Sequence, residues 1–219
     1  MTRIAFIDLE TTGLPQRISY NKYYPYTQSK YYNSSRILQI AVVIVDYNKV
    51  NDQIQMKLVN EHNYIIKPDN FDVKNTNIHG ITEELAREKG IEFKSAIDKI
   101  QPGLLSCNVL VAHNIIFDKT VFLSELHRYR CHDLIKKINS INTFCTSEGC
   151  ILVTKIPLND KQYKQPKLSE LYLFLFGKEI DKLHDALADA KNTMLCFNDL
   201  LNKSMININY NHTISLLFR

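Results

Sequence analysis

Three short stretches of this 219-residue chain hold residues whose types and spacing could do chemistry together. In "FIDLETTGL" (Phe6 to Leu14), two carboxylates sit two residues apart in an otherwise apolar strand. Side chains alternate along a strand, so Asp8 and Glu10 leave the same face as Ile4 and Phe6, while Ala5, Ile7 and Leu9 face the other way. Two ionised acids side by side repel each other and lose hydration unless a cation sits between them. Hard oxygen ligands of this kind suit Mg²⁺ or Mn²⁺. A strand end that merely reaches solvent would carry the same pair.

In "VAHNIIFD", Asn114 stands where it could cap a helix starting near Ile115, which puts Asp118 about one turn inside that helix. An apolar strand thus delivers a carboxylate near its own end, although the helix macrodipole favours an acid there in any protein. In "HDALADA", Asp185 is the candidate N-cap of a closing helix and Asp189 lies one turn further on. His184 precedes Asp189 by five residues, ~140° around a continuous helix, so the two meet only if His184 lies in the loop leading in. There the positive helix end and any bound metal disfavour its protonated form, which suits a histidine that accepts a proton. An exposed loop histidine with no such task is the plain alternative.

The elements that must position these residues follow from the hydrophobic pattern. Residues 3 to 10 read as a first strand. "RILQIAVVIVDY" (Arg36 to Tyr47) and "KLVNEHNYIIKP" (Lys57 to Pro68) read as two more, joined by an Asn-rich turn into an antiparallel meander. A helix-compatible segment from Thr82 runs through "SAIDKI" and is expected to stop at Pro102 and Gly103. "NVLVAHN" is a short apolar strand, followed by helical spacing in "IIFDKTVFLSELHRY". "INTFCT" reads as a further strand, and "KLSELYLFLFG" and "DALADAKNTMLCFNDLL" as two closing helices. A meander followed by alternating strands and helices implies an α/β protein with a mixed sheet covered by helices.

Composition narrows the class. With 45% hydrophobic residues the chain can form one compact domain. It holds no leader-like segment and no window approaching the ~20 apolar residues of a membrane span, so a soluble, unprocessed intracellular protein is expected. The five cysteines (Cys107, Cys131, Cys145, Cys150 and Cys196) form no C-x-x-C pair and read as reduced thiols. A net charge of +4 is compatible with a polyanionic partner without requiring one.

The three acidic stretches, in this order, resemble the motifs of 3′–5′ exonucleases of the Asp-Glu-Asp-Asp-His type, the DnaQ-like group that includes bacterial proofreading exonucleases. "RILQIA", "NIHGIT" and "KLSELYLFLFG" resemble the connecting segments, and the likeness runs from about Arg3 to Leu201. The resemblance implies a single-domain ribonuclease-H-like fold, with a mixed five-stranded sheet flanked by helices. It implies that Asp8, Glu10, Asp118 and Asp189 hold two Mg²⁺ ions, with Mn²⁺ able to substitute, and that His184 takes the proton of the attacking water. It also implies that Thr11, Leu14, His79, Ile81, Asn114 and Phe117 surround the terminal nucleotide; Leu14, Ile81 and Phe117 would serve equally as core residues. The expected reaction is release of nucleoside 5′-monophosphates from DNA 3′ ends in proofreading or repair, with any polymerase or repair protein acting in trans.

Two other readings stay open: an exoribonuclease with the same chemistry, since the contacts to a 2′ hydroxyl cannot be placed, and an inactive nucleic-acid-binding module. The complete set of chemistry-bearing residues argues against the module. The expected division is an exonuclease domain over 1–203, with a loop insert at about 15–35, and a C-terminal extension over 204–219. The insert holds six tyrosines with Arg17, Lys22 and Lys30 and no acid, so it is either a flap that stacks bases or a surface loop packed on the domain. The extension alternates apolar and polar residues and is either an added strand or a partner-binding tail.

Overall fold

A computed structural model describes residues 1–20, 22–50, 53–181, 184–209 and 211–217. Its centre is the strand β1 (Thr2–Thr11), flanked by β2 (Ile37–Val50) on one side. Beyond β2 lies β3 (Gln53–Ile65); on the other side of β1 follow β4 (Val109–Ala112) and β5 (Asn142–Cys145). The sheet order is β3-β2-β1-β4-β5. β1 runs antiparallel to β2 and β2 to β3, whereas β4 is parallel to both β1 and β5. The meander read from sequence is therefore present, with β2 and β3 longer than the apolar runs suggest. The Asn-rich turn between them falls on residues 51 and 52, outside the described residues. This is the mixed, helix-covered sheet of a ribonuclease-H-like fold, in one domain.

The two-residue period of β1 divides the core. Ala5, Ile7 and Leu9 face the layer made by α2 (Phe93–Leu105), α3 (Ile115–Arg128) and α4 (His132–Ser140); α1 (Glu83–Lys89) leads into it. Ile4 and Phe6 face α5 (Leu168–Phe176) and α6 (Ala186–Asn202), where Phe197 meets Phe6 edge-on at 5.4 Å between ring centres. Asp8 and Glu10 therefore project on the α6 side, beyond the last apolar residue of that face.

The helix α2 departs from expectation, since it continues through Pro102 and Gly103 to Leu105. Proline removes the bond to the Asp98 carbonyl, but Asp98 is an exposed residue, whereas Leu104 on another face of the helix is fully buried. At Gly103 the helix lies close to the sheet: a Cβ there would be 2.5 Å from Cδ1 of Ile44 and would push that side chain aside.

The insert is folded onto the domain. It holds a small hairpin (Arg17–Ser19 with Lys22–Tyr23) and a 3-10 turn (Ser29–Tyr32). Tyr32 is fully buried in the main core and donates its hydroxyl to the Tyr24 carbonyl. Tyr23, Tyr26 and Tyr31 pack partly against the same core, while Tyr20 stays exposed. Arg128 clamps the turn through the Ser29 carbonyl and the Asn33 side chain. Near the end of the chain, Ile206–Ile208 and Ile214–Leu216 form a hairpin, with Ile206 buried under α6. Its His212 Nδ1 lies 3.0 Å from the Thr2 hydroxyl.

Candidate active site

β4 pairs with Ile4 to Phe6 of β1, so the last part of β1 extends past this pairing. Asp118 comes from the first turn of α3, immediately after β4, and its carboxyl is buried near the backbone amides of Leu9 and of its own residue, which favour its charged form. Asn114 occupies the N-cap of α3 as expected, but its side chain makes no capping bond. Its backbone is left-handed (φ 77°), a conformation asparagine tolerates, and its carbonyl accepts the Phe117 amide at 2.9 Å. On the other side of the sheet, Asp185 caps α6 by accepting the Ala188 amide at 3.1 Å, which leaves His184 in the preceding loop and Asp189 in the first turn.

These elements bring Glu10, His184 and Asp189 together, each offering one ligand atom within 4.8 Å of the others. The His184 amide donates to Oδ2 of Asp189 at 3.1 Å. Oδ1 of Asp189 is buried and has no hydrogen-bond partner, a cost that a bound cation would remove. Asp8 and Asp118 lie close enough for their charges to act within this group. Burial, then the charges of Asp118, Asp189, Glu10 and Asp185, raise the Asp8 carboxyl well above its usual range. Burial does the same for Asp118, with Glu10 and Asp189 adding to it and the nearby backbone amides opposing it. Glu10 is pushed up to about 7 by burial, then by Asp189 and Asp185, and burial raises Asp189. Metal-free, these carboxyls resist joint ionisation; hard oxygen donors of this density fit divalent cations.

Asp185, a cap by its place before α6, also adds its charge to Asp8, Glu10 and Asp189, and its position next to His184 is the signal in the sequence for that role.

The residues expected around a terminal nucleotide are spread over several elements. Thr11 ends β1 at a bulge and bonds the Gly13 carbonyl. Leu14 is 62% exposed, and with Thr12 and Gly13 it borders a cleft of about 860 Å³ that Phe71, Lys74 and Asn75 also line. A Cβ at Gly13 would meet the Ser34 carbonyl at 2.9 Å, so this approach requires glycine. His79 is buried with both ring nitrogens engaged: Nε2 meets the Lys74 carbonyl at 2.8 Å and Nδ1 accepts the Ile81 amide at 3.0 Å. Ile81 packs in a separate apolar cluster with Leu38 and Ala86. Asn114 is exposed and Phe117 packs partly against the main core.

A family model described as Exonuclease (RNase_T) matches residues 5–197, a span containing all five of Asp8, Glu10, Asp118, His184 and Asp189. The chain belongs to this exonuclease family. Among solved structures, the exonuclease resembles cell-death related nuclease 4 (CRN-4) at 15% identity and a TM-score of 0.60, over 92% of this chain and 64% of that one. It thus spans under two thirds of that relative's length. It also resembles a full-length 3′-exonuclease at 14% identity and a TM-score of 0.54, over 99% of this chain and 90% of that one. At such identities the likeness speaks to the fold. No curated protein sequence matches the chain. The family match and the carboxylate group fall on the same stretch of the chain. Among the described residues, no helix is long and apolar enough to cross a membrane.

Proposed function

We propose that this exonuclease cuts single-stranded DNA from its 3′ end, releasing nucleoside 5′-monophosphates one at a time, in proofreading or repair. The observation that carries the reading is the meeting of Glu10, His184 and Asp189 beside Asp8 and Asp118, with a buried carboxylate oxygen of Asp189 left unpartnered. Asp8, Glu10, Asp118 and Asp189 would hold two Mg²⁺ ions, or Mn²⁺ in their place, which when bound supply charge neutralisation, an activated water and stabilisation of the leaving 3′ oxygen.

The chain's own residues do the rest. His184 is exposed at the rim, within reach of Glu10 and Asp189, and takes the proton from the attacking water. Its left-handed backbone (φ 61°) lets its amide turn back to Asp189 while its ring stays at the rim. Leu14, exposed after the close approach of Gly13 to Ser34, wedges beside the terminal bases, with Thr11 near the 3′ hydroxyl. His79 acts through the loop it braces, setting Ile81 and Asn75; Asn114 and Phe117 border the base from the start of α3.

The test uses matched DNA and RNA strands labelled at the 5′ or the 3′ end. Ladders that shorten from the 3′ end on DNA, with mononucleotide as the first product of the 3′-labelled strand, support the proposal. Faster ladders on RNA would move the substrate to RNA, and cleavage from the 5′ end would overturn the direction.

A further inference from the structure

Gln39 is an amide side chain in the second strand that is only 5% exposed, and the carboxylate set does not include it. It stands directly opposite Glu10 in the β1–β2 register. Its Oε1 accepts the backbone amide of Ala186, the first residue of α6, at 3.3 Å. Its Nε2 donates to Oδ1 of Asn63 on β3 at 2.9 Å. The Ala186 N–H, which can only donate, fixes the amide: Oε1 must face the helix, and Nε2 is then turned toward the Asn63 oxygen. The flipped amide would set a donor against the Ala186 N–H and an oxygen against an oxygen.

The amides at the start of a helix have no partners within it. At α6 side chains take two of these groups and one amide just ahead of the helix. Gln39 takes Ala186, Asp185 takes Ala188, and Asp189 reaches back to His184 just before the helix. The last two contacts lie within the segment itself. The Gln39 contact ties its start to the sheet by a hydrogen bond next to Glu10, where Ala186 and Ala190 also pack against the sheet.

We infer that Gln39 is a positioning residue: it locks the first turn of α6 to β2, thereby fixing Asp189 and His184 at their separation from Glu10, with Asn63 orienting its amide. This rests on the exonuclease reading for its effect on catalysis, but not for its effect on geometry or cation binding. Partners that orient ligands in this way typically change metal affinity or activity by about 10- to 100-fold when removed.

The test compares Gln39→Leu, Asn63→Leu and Asn63→Asp with wild type. Asn63 is on the exposed edge strand, so its variants keep the core, and aspartate retains the oxygen acceptor. Three quantities are read: exchange of the Ala186 amide in metal-free protein, Mn²⁺ affinity by calorimetry, and kcat and KM on single-stranded DNA. In Gln39→Leu the Ala186 amide exchanges roughly tenfold faster, Mn²⁺ binds about tenfold more weakly, and kcat falls by about tenfold or more with KM within about twofold. Asn63→Leu shifts all three in the same direction, and Asn63→Asp restores them. Unchanged Ala186 exchange, or Mn²⁺ affinity and kcat at wild-type levels in Gln39→Leu, would overturn the inference. Equal losses in both Asn63 variants would remove the orienting role. A wild-type protein inactive on nucleic acid, with Mn²⁺ affinity still dependent on Gln39, would refute the nuclease reading and leave the positioning intact.

Discussion

The carboxyl of Asp189 is divided in its duties: Oδ2 accepts the backbone amide of His184 at 3.1 Å, while Oδ1 is buried without a partner. One oxygen fixes the loop that carries the histidine and the other remains for a cation. Asp189→Asn should therefore do two things. It should abolish nuclease activity by at least about 10²-fold, since a neutral amide is a poor ligand for a hard dication. It should also raise the stability of metal-free protein at pH 8 by about 1 kcal/mol, because a repelling charge is gone. Thermal unfolding with and without Mg²⁺ checks this; an Asn variant less stable than wild type when metal-free contradicts it.

Glu10 makes the crowding depend on pH. Its carboxyl is raised from 4.5 to about 7, chiefly by burial, so the folded state holds its proton more tightly than the unfolded chain. The resulting stability is fully present below about pH 4.5 and is lost as pH rises through about 7, by roughly 2–3 kcal/mol. Compared with Glu10→Gln, so that other titrating groups cancel, metal-free wild type should lose roughly 5–10 °C of melting temperature between pH 5 and 8. Mg²⁺ should restore it at pH 8 and change little at pH 5. A difference that does not vary with pH would show that Glu10 is not burdened in this way.

His113 has the opposite dependence. Burial lowers it to about 4, and its neighbours suit the neutral ring: Nε2–H donates to the Pro166 carbonyl and Nδ1 accepts the Thr146 hydroxyl, each at 2.9 Å. Its contribution is present above about pH 6.5 and is lost as pH falls through about 4, by roughly 2–3 kcal/mol. Chemical unfolding at pH 7 and pH 4.5 should show the gap between wild type and His113→Gln narrowing at the acidic end. A gap that is constant or widens would contradict the neutral assignment.

The same residues show what was legible in the sequence. Asp8, Glu10, Asp118, His184 and Asp189 could be read because strand alternation and helix-start chemistry are local rules, and the structure places each on the element those rules gave. What escaped depends on partners far apart in the chain. Arg36 bonds Glu125, 89 positions away, at 2.6 Å and lies 4.3 Å from the centre of the Phe71 ring. Nothing near either residue announces the pair. Pro102 does not end the helix because the carbonyl it strands belongs to an exposed residue, Asp98. His79 looks like a ligand to a base in "NIHGIT", but its nitrogens are spent on the fold of its own loop.

That buried ion pair yields a further prediction. Glu125 sits between Arg36 and Arg128, so Glu125→Ala leaves two guanidinium groups without their carboxylate in a largely buried place. The expected loss is about 3–5 kcal/mol, measured by urea unfolding. Glu125→Gln should lose less, since it keeps an acceptor for Arg36. Equal, small losses would mean that water already serves both arginines.

The insert offers a test of packing against display. Tyr32→Ala removes a fully buried ring and should cost about 3–5 kcal/mol, while Tyr20→Ala, at a residue 77% exposed, should change stability by less than about 0.5 kcal/mol. Similar costs at both positions would show that the insert is not anchored through Tyr32.

The central claim, that these carboxylates hold the cations which run a nuclease, is tested most directly by cleavage of a 5′-labelled single strand. Wild type, Asp8→Ala and His184→Ala are compared in Mn²⁺, in Mg²⁺ and in excess chelator. The account predicts ladders for wild type with either metal, none in chelator or with Asp8→Ala, and a large loss of rate with His184→Ala while Mn²⁺ still binds. Wild-type cleavage that persists in chelator, or an Asp8→Ala variant as active as wild type, would contradict it.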